Sequence, residues 1–520
     1  MTETTQTTRP GRDIPWDAIG IAAGLALLAM NLWRHRLFVH DDSFISLRYA
    51  RNLAEHGQLV WNLGERVEGY TNFLHVVASA GLIRIGFDPL AAAQSLNVAA
   101  AVLLLVVAAR AGRLVAPDAP VARAAAVPMI GASPGVAIWT LGGLEAVPVA
   151  ALLGLGMYRV LRIVNGDHGR GTLLAALAFS LAVLTRLDTA VFIAGAGLGL
   201  MLATNLSPGR RVGLAVLIVG VPAAVAFAHM GWRVWYYGEY LPLTFHAKTG
   251  LPTLARLSFF PRYALASLLP ALIVTLGLLG FVALLRRPPS AGLARLLGVP
   301  MLAYLLYVGW AGGDHMLGAR LFLPVLVSVA MLVLLAITHL SDGRDKPVSL
   351  IALALVAVTG LQIPSLKQDE AAFMGRLLGL HFAETLPKGS TIALHTAGST
   401  PYFATDNTFI DMLGLNDPHI ARRNPVPMLA TWQEVPGHSK GDGAYVLERE
   451  PDVIVVGSAR GILIDDEPWF LSDAELAQLP EFRECYAPDT VFLDAPDAIK
   501  WRGPATVWPI RFAYYTRSCS

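Results

Sequence analysis

Eleven apolar stretches, most of them near the length of a membrane helix, dominate the first 363 residues and limit what this chain can fold into. Crossing the ~30 Å hydrocarbon core takes ~20 mostly apolar residues, and only a helix or a closed barrel satisfies its backbone there. The stretches fall at roughly 15–33, 91–109, 122–141, 143–162, 172–186, 188–204, 211–230, 262–285, 291–310, 319–339 and 347–363. Two of them, 172–186 and 188–204, nearly abut and are expected to form a tight pair. The run 71–86 is also apolar, but it has only 16 residues, interrupted by His75 and Arg84. It reads as an interfacial or re-entrant helix rather than a span.

Composition agrees with a membrane chain. Apolar residues make up 54%, mean hydropathy is +0.52, and charged residues are 15% against the ~25% usual in soluble domains. A disordered chain, a coiled coil, a disulfide scaffold and an ordinary soluble enzyme are excluded. The charge is divided unevenly. Residues 1–363 hold 17 acidic and 27 basic residues, and residues 364–520 hold 21 acidic and 13 basic. Two parts therefore meet near Pro364: a transmembrane part over 1–363 and an acidic part over 364–520 with no long apolar run. No Lys/Arg stripe marks a nucleic-acid surface.

Lys and Arg in short loops set orientation. Arg110, Arg113 and Arg123; Arg159, Arg162 and Arg170; Arg210 and Arg211; Arg286, Arg287 and Arg295; and Arg344 with Lys346 read as cytoplasmic. The alternating loops, led by 34–90, then read as extracytoplasmic. Eleven crossings place the N-terminus inside and residues 364–520 outside. A cleavable signal peptide is not evident, because the first apolar run is long and further spans follow.

Most acids of the membrane part fall in the outer loops, where topology does not require them. The first loop opens His40-Asp41-Asp42-Ser43-Phe44-Ile45-Ser46-Leu47-Arg48-Tyr49-Ala50-Arg51-Asn52-Leu53. Its apolar spacing predicts an amphipathic helix, capped by Asp41 or Asp42 and able to lie flat on the outer membrane surface. One cap needs one acid, which leaves the other for a general base or a metal. Val60-Trp61-Asn62 and Glu65 to Asn72 follow, dense in polar and aromatic groups suited to a sugar. Glu145, Arg186 and Asp188 lie near membrane depth, where a charge needs a partner or a role. An Arg186–Asp188 ion pair holding the hairpin is the simplest account.

These segments resemble, in order, the bacterial GT-C membrane glycosyltransferases, and most closely the mycobacterial-type terminal arabinofuranosyltransferases. Asp41 to Asn52, Trp61-Asn62 and Val67-Glu68-Gly69-Tyr70-Thr71-Asn72 resemble that family's first outer loop. Gly142-Gly143-Leu144-Glu145 is similar to its Gly-Leu-Glu loop. Thr185-Arg186-Leu187-Asp188 stands where the family has Thr-Arg-Pro-Glu. Arg233 to Pro242 with Lys248 resembles a further stretch, and Gly312-Gly313-Asp314-His315-Met316 with Arg320 another, His replacing Trp. Asp411 to Leu415 and Gly437-His438-Ser439-Lys440 also look like family segments.

The resemblance implies an α-helical polytopic membrane protein of GT-C-like fold, here with about eleven transmembrane helices and a C-terminal extracytoplasmic α/β domain. It implies an inverting transfer of a hexosyl or pentosyl group from a polyprenyl-phosphate donor, with a loop-one carboxylate as base. The acceptor would be a cell-envelope glycan, lipid or protein outside the cytoplasmic membrane. The residues make matching demands. An outward site lacks nucleotide sugars, an acceptor hydroxyl needs a base, and a departing phosphate needs positive charge.

Asp41 is the first candidate for the base and Asp42 the close alternative, one contacting acceptor while the other orients a neighbour. Lys248 and Arg320 are the first candidates for the phosphate, supported by Arg233 and His246. Ion pairs with Glu239, Asp314 or lipid headgroups are the competing account of these cations. Arg48, Trp61, Glu68, Tyr70, Asn72, Glu145, Tyr237, Asp314 and His315 are candidate substrate contacts. The aromatic ones equally suit an interfacial belt.

No phosphate-binding loop, Cys-x-x-Cys or His-Glu-x-x-His motif is present. No cofactor is required by the sequence. Asp314 and His315 suit part of a divalent-cation site, without a visible ligand set. Cys485 and Cys519 fall in the outer part, where a disulfide is permitted. Thr391–Leu394 and Asp452–Val456 read as strands, and 473–479 as a helix capped by Ser472. The alternative class is a transporter or flippase of lipid-linked sugars; it often shows internal repeats, and none is visible here. A non-catalytic scaffold is a third.

Overall fold

The computed structural model describes residues 14–167, 171–203, 206–248, 253–266, 268–341, 344–362, 368–424, 426, 433, 435–495 and 508–519. The expected junction near Pro364 lies outside these. A bundle of apolar helices fills the first part and a small mixed sheet the second, with the first-loop helix between them.

Each of the eleven apolar stretches is mostly helical among the described residues. Among the described residues, six helices are long and apolar enough to cross a membrane: Trp16–Arg34, Pro89–Val115, Ala146–Val164, Pro208–Tyr237, Pro288–Ala311 and Leu317–Leu340. Pro120–Gly131 and Pro134–Leu141 make a seventh if taken as one span, bent by 42° at the Pro134 break. Helices Gly171–Thr185 and Thr189–Leu202 are shorter. They do not form the expected tight pair. The first packs on Ala146–Val164 and Pro208–Tyr237, the second on Pro288–Ala311, and the two meet only near their turn. Greasy surface on neighbouring helices competes for their flanks, and adjacency in sequence does not decide it. The helix of the 71–86 run, Phe73–Arg84, is about 18 Å long at 1.5 Å per residue.

Small residues bring the helices close. A Cβ on Gly20 would lie 2.2 Å from the Ala124 carbonyl oxygen, and one on Gly131 would lie 2.1 Å from that of Gly24. Gly20 and Gly24 are four apart, so the first helix docks backbone to backbone on the broken helix, as small-xxx-small faces do in lipid. Asn31 donates to Gly131 O and Ala132 O at the same contact. Arg113 and Arg123 converge on Asp17 at the start of this helix, at 3.0 and 2.7 Å.

The sheet contains β1 (Thr391–Leu394), β2 (Thr408–Asp411), β3 (Val453–Val455), β4 (Tyr486–Leu493) and β5 (Ile510–Arg517), in the order β2-β1-β3-β5-β4. The first three of that order run parallel; β5 is antiparallel to both neighbours. In register, Ile392 sits between Phe409 and Val453. The two expected strands are thus β1 and β3. The expected 473–479 helix is instead Leu471–Leu476, and Ser472 lies inside it. Its start is held by the Asp473 carboxylate, which accepts from the Trp469 and Phe470 amides.

One apolar core joins this sheet to the first loop. Ile45, Tyr49 and Ala50 of the loop helix, with Trp61 and Tyr70, pack among Ile392, Leu394, Phe409 and Val453. Cys485 and Cys519 form a disulfide that closes the base of the β4–β5 hairpin. Replacing both by Ser is expected to lower the unfolding free energy of this unit by about 2–4 kcal/mol. The measurement is the denaturant midpoint of the oxidised protein against the variant; equal midpoints would contradict it.

Candidate active site

The loop helix runs Asp41–His56 and ends at Gly57, whose φ of +70° is one that glycine adopts without strain. Its N-cap is His40: the imidazole Nδ1 accepts from the Asp42 amide at 3.2 Å. Both acids therefore sit in the first turn rather than at the cap, where they complement the helix dipole. The helix does not lie on a membrane surface. Ten of its sixteen residues are buried between the bundle and the sheet, because the distant sheet covers the face expected to meet lipid.

Two cavities meet beside this helix. One, of about 430 Å³, lies between Asp41, Asp42, Tyr70, Asn72 and Glu145 on one side and the carboxyl ends of the parallel strands on the other. There His395–Ala397 follow β1, Leu413 and Leu415 follow β2, and Ser458–Arg460 follow β3. Parallel α/β sheets bind ligands at this edge. The second, of about 360 Å³, lies against the bundle among Arg186, Asp188, Arg233, Tyr307 and Asp314. Thr71, Thr244, Lys248, Arg320 and Pro436 line both.

The two adjacent acids differ. Asp41 accepts three hydrogen bonds from one short segment: Gly398 N at 3.1 Å, Ser399 N at 2.9 Å and Ser399 Oγ at 2.6 Å. Burial nevertheless pushes its carboxyl up to about 6; the Ser399 bonds pull against it, and the charges of Asp369 and Asp42 add to it. The Asp42 side chain is 34% exposed, with His40 Nδ1 4.0 Å away. Its carboxylate accepts no protein hydrogen bond among the described residues. Partial burial would raise its pKa, but the charges of His40, His315, Lys248 and Arg320 outweigh burial and hold it below the usual range.

The cations also divide. Arg320 pairs with Asp314, and its guanidinium lies 5.5 Å from the Trp139 ring centre. Arg186 bridges Glu145 at 2.8 Å and Asp188 at 2.6 Å, so the expected hairpin ion pair forms and extends to a third group. Arg233 pairs with the buried Glu68 at 2.9 Å. Lys248 has no ion-pair partner among the described residues; burial lowers its pKa, and Asp314 and Asp42 are the acids that face it. The turn Gly312–Gly313, with φ of +87° and +82°, presents Asp314 and His315 from the end of a membrane helix.

Of the residues selected from the sequence, Asp41, Asp42, Tyr70, Asn72, Glu145, Lys248, His315 and Arg320 line the first cavity, and Arg233 and Asp314 the second. Arg48, Trp61, Glu68, Tyr237 and His246 line neither. Arg48 is buried and donates to Trp61 O at 2.7 Å, to Asn407 O at 3.1 Å and to Pro401 O. Trp61 packs against Phe409, and Tyr237 donates to Leu59 O at 2.7 Å. Glu68 serves Arg233 from the side and accepts the Leu243 amide on its backbone, which anchors helix Leu243–Lys248. These side chains build the walls rather than face the space. Asn72 donates to Glu145 at 3.0 Å and accepts from Ser46 at 3.1 Å.

Residues that sequence reasoning left unassigned also face the first cavity. His40 approaches Asp369 at 3.8 Å. His395 is 3% exposed, stacks on Phe470 at 4.3 Å, and makes no hydrogen bond through either ring nitrogen; Asp473 lies 3.5 Å away. Its signal was the position directly after a strand. Among the described residues, no three His, Cys, Asp or Glu side chains gather as metal ligands, and Asp314 is engaged by Arg320.

The helices and the sheet together define a polytopic membrane protein of GT-C-like fold. The oligosaccharyltransferase of Archaeoglobus fulgidus, solved with Zn and sulfate, superposes with a TM-score of 0.54 at 12% identity, over 84% of this chain and 67% of that one. AglB from Archaeoglobus fulgidus, solved with an inhibitory peptide and a dolichol-phosphate, gives 0.53 at 12% identity, over 84% and 68%. In sequence, the chain is similar to the terminal beta-(1->2)-arabinofuranosyltransferase of Mycobacterium tuberculosis: 31% identical over 368 residues, 63% of this chain and 57% of that protein. The resemblance read from the motifs is borne out, and the chain spans little more than half the length of that relative. Residues 364–507 match a domain of unknown function, DUF8728.

The Glu68–Arg233 pair generates a prediction with a defined sign. Burial pushes Glu68 up to about 7, against the pull of Arg233. A raised carboxyl contributes stability at low pH that is lost as pH rises through 7. Arg233→Ala is expected to cost about 3–5 kcal/mol at pH 8, where Glu68 must ionise without a partner, and less at pH 5, where it stays protonated. Melting temperatures at the two pH values test this; an equal loss at both would contradict it.

Proposed function

We propose that this protein is an inverting glycosyltransferase that moves a sugar from a polyprenyl-phosphate donor to a cell-envelope glycan, lipid or protein acceptor. One observation carries the reading: among the described residues Asp42 is an anion without a hydrogen-bonding partner and Lys248 a cation without an ion-pair partner, and both line the first cavity, Lys248 where it joins the second. The similarity to an arabinofuranosyltransferase supports sugar transfer as the chemistry. It does not favour a transporter or flippase.

In this reading the acceptor lies against the strand ends, near His395 and Phe470, and its hydroxyl faces Asp42. Asp42 takes the hydroxyl proton as the oxygen attacks the anomeric carbon. The bond to phosphate oxygen breaks on the opposite face, which inverts the centre. Lys248 and Arg320 stabilise the departing phosphate, with Arg233 behind them in the second cavity. Phosphate leaves without a proton from the protein, so one carboxylate suffices. Tyr70, Asn72, Glu145 and His315 line the acceptor side and Asp314 the donor side. A divalent cation is not required by this arrangement.

We place the N-terminus in the cytoplasm, residues 1–363 in the cytoplasmic membrane and residues 364–520 outside. Arg113 and Arg123 gather at the N-terminal end of the first helix, away from the sheet, which supports that polarity. The disulfide suits an oxidising compartment.

The test is purified protein in detergent with a panel of polyprenyl-phosphate pentoses and hexoses, products identified by mass and anomeric configuration. Asp42→Asn is expected to lower turnover by roughly 10²- to 10⁴-fold, and Lys248→Ala by about 10²- to 10³-fold. Because Asp42 is held below the usual carboxylate range, its own protonation is expected to stop catalysis only below that range, whereas protonation of Asp41 near 6 leaves a reduced but finite rate. Inversion absent, or Asp42→Asn at wild-type rate, would each overturn the assignment.

A further inference from the structure

We propose that Asp41 is a positioning residue that ties the C-terminal sheet to the helix bearing the base, so that the soluble unit sets where Asp42 stands. This rests on the glycosyltransferase reading above. All three donors at positions 398 and 399, two amides and the Ser399 hydroxyl, go to the Asp41 carboxylate. The partners are separated by more than 350 residues, so the contact forms only when the two parts of the chain meet.

The approach is backbone-close. A Cβ on Gly398 would lie 2.1 Å from the Asp41 carbonyl oxygen and 2.5 Å from its Oδ2, so only glycine fits without pushing the helix away. Ser399 is held from behind. Its hydroxyl lies 3.2 Å from Ala371 O, and a Cβ on Gly375 would meet it at 2.1 Å. The same helix face continues the attachment. Arg48, two turns on, reaches Pro401 O and Asn407 O, and Arg51 reaches Tyr402 O at 3.1 Å.

Asp42 is the next residue, about 100° around the helix. It cannot move independently of Asp41, because both belong to one rigid turn. The bonded segment follows His395–Ala397, which line the acceptor side of the cavity. A shift of the sheet is therefore carried to the base at the Asp41 carboxylate, the attachment nearest to it, with Arg48 and Arg51 holding the helix further along.

The experiment compares Asp41→Asn, Ser399→Ala, Ser399→Thr and Gly398→Ala with wild type. Each measurement includes kcat, KM for the donor, the acid limb of kcat/KM, and deuterium exchange at the Gly398 and Ser399 amides. Asp41→Asn, Ser399→Ala and Gly398→Ala are expected to lower kcat by roughly 10- to 100-fold with donor KM nearly unchanged and the acid limb that reports Asp42 where wild type has it. Ser399→Thr, which keeps the hydroxyl, is expected to restore the rate. Ser399→Ala leaves two of the three bonds, which guards against loss of folding. Loss of the acid limb in Asp41→Asn, with Ser399→Ala and Gly398→Ala at wild-type kcat, would make Asp41 the base and overturn the proposal. Wild-type kcat in all variants would also overturn it. If wild type transfers no sugar from any donor, the function fails, and amide exchange decides the attachment: a rise of about tenfold or more in Asp41→Asn upholds it, and unchanged exchange overturns it.

Discussion

The seating of the first-loop helix between bundle and sheet is the contact on which the rest of the molecule depends. A helix with Asp41, Arg48 and Asn52 buried is stable only if each polar group finds a partner. Asp41 and Arg48 find theirs on the 398–407 segment, and Asn52 on Val60 O and Trp61 O. Asn62 extends the contact, donating to Phe409 O and accepting its amide. Apolar groups of the helix, Ile45 and Tyr49, share one core with β1 and β3. Polar matching fixes the register of the joint, and apolar burial supplies most of its strength. The first cavity takes part of its wall from this joint, through Asp41, Asp42, Ile45 and Ser46.

Charge neutralisation then divides the charged groups into matched and unmatched ones. The low-dielectric surroundings penalise an isolated charge, and most charged side chains here are paired. Glu68 with Arg233, Glu145 and Asp188 with Arg186, and Asp314 with Arg320 account for most of them. Among the described residues, Lys248 has no ion-pair partner and Asp42 has only His40, at 4.0 Å; one stands at the join of the cavities and the other on the open first cavity. A group left unmatched beside a cavity is free to meet a substrate, whereas a matched one shapes the cavity. Arg320 does both, since Asp314 holds its guanidinium while it lines the two spaces.

Much of the architecture was legible as periodicity and length. The apolar stretches appear largely as helices, six of them, or seven with the bent pair, long and apolar enough to cross a membrane among the described residues, because backbone satisfaction in an apolar medium acts locally. β1 and β3 were legible as short apolar runs between turn formers. Misreadings arose where a distant element intervened. The loop helix looked able to lie on a membrane because its polar face was visible and its cover, the sheet, was not. The pairs 171–185 and 189–202 looked like neighbours because sequence shows adjacency and not the competing flanks of Ala146–Val164 and Pro288–Ala311. Arg48, Trp61 and Tyr237 looked like substrate contacts because their residue types suit sugars, yet the fold spends them on carbonyls and core packing.

The sequence by itself determined a helical, apolar first part, an acidic second part without a long apolar run, and an acid pair at the head of the first loop. It did not distinguish Asp41 from Asp42. Two adjacent carboxylates in one helical turn have nearly the same local environment, so local chemistry gives no reason to assign them different work. Tertiary structure made the distinction by bringing Gly398 and Ser399 against one of them. Three donors satisfy Asp41, and Asp42, turned about 100° away, faces open space and positive charge.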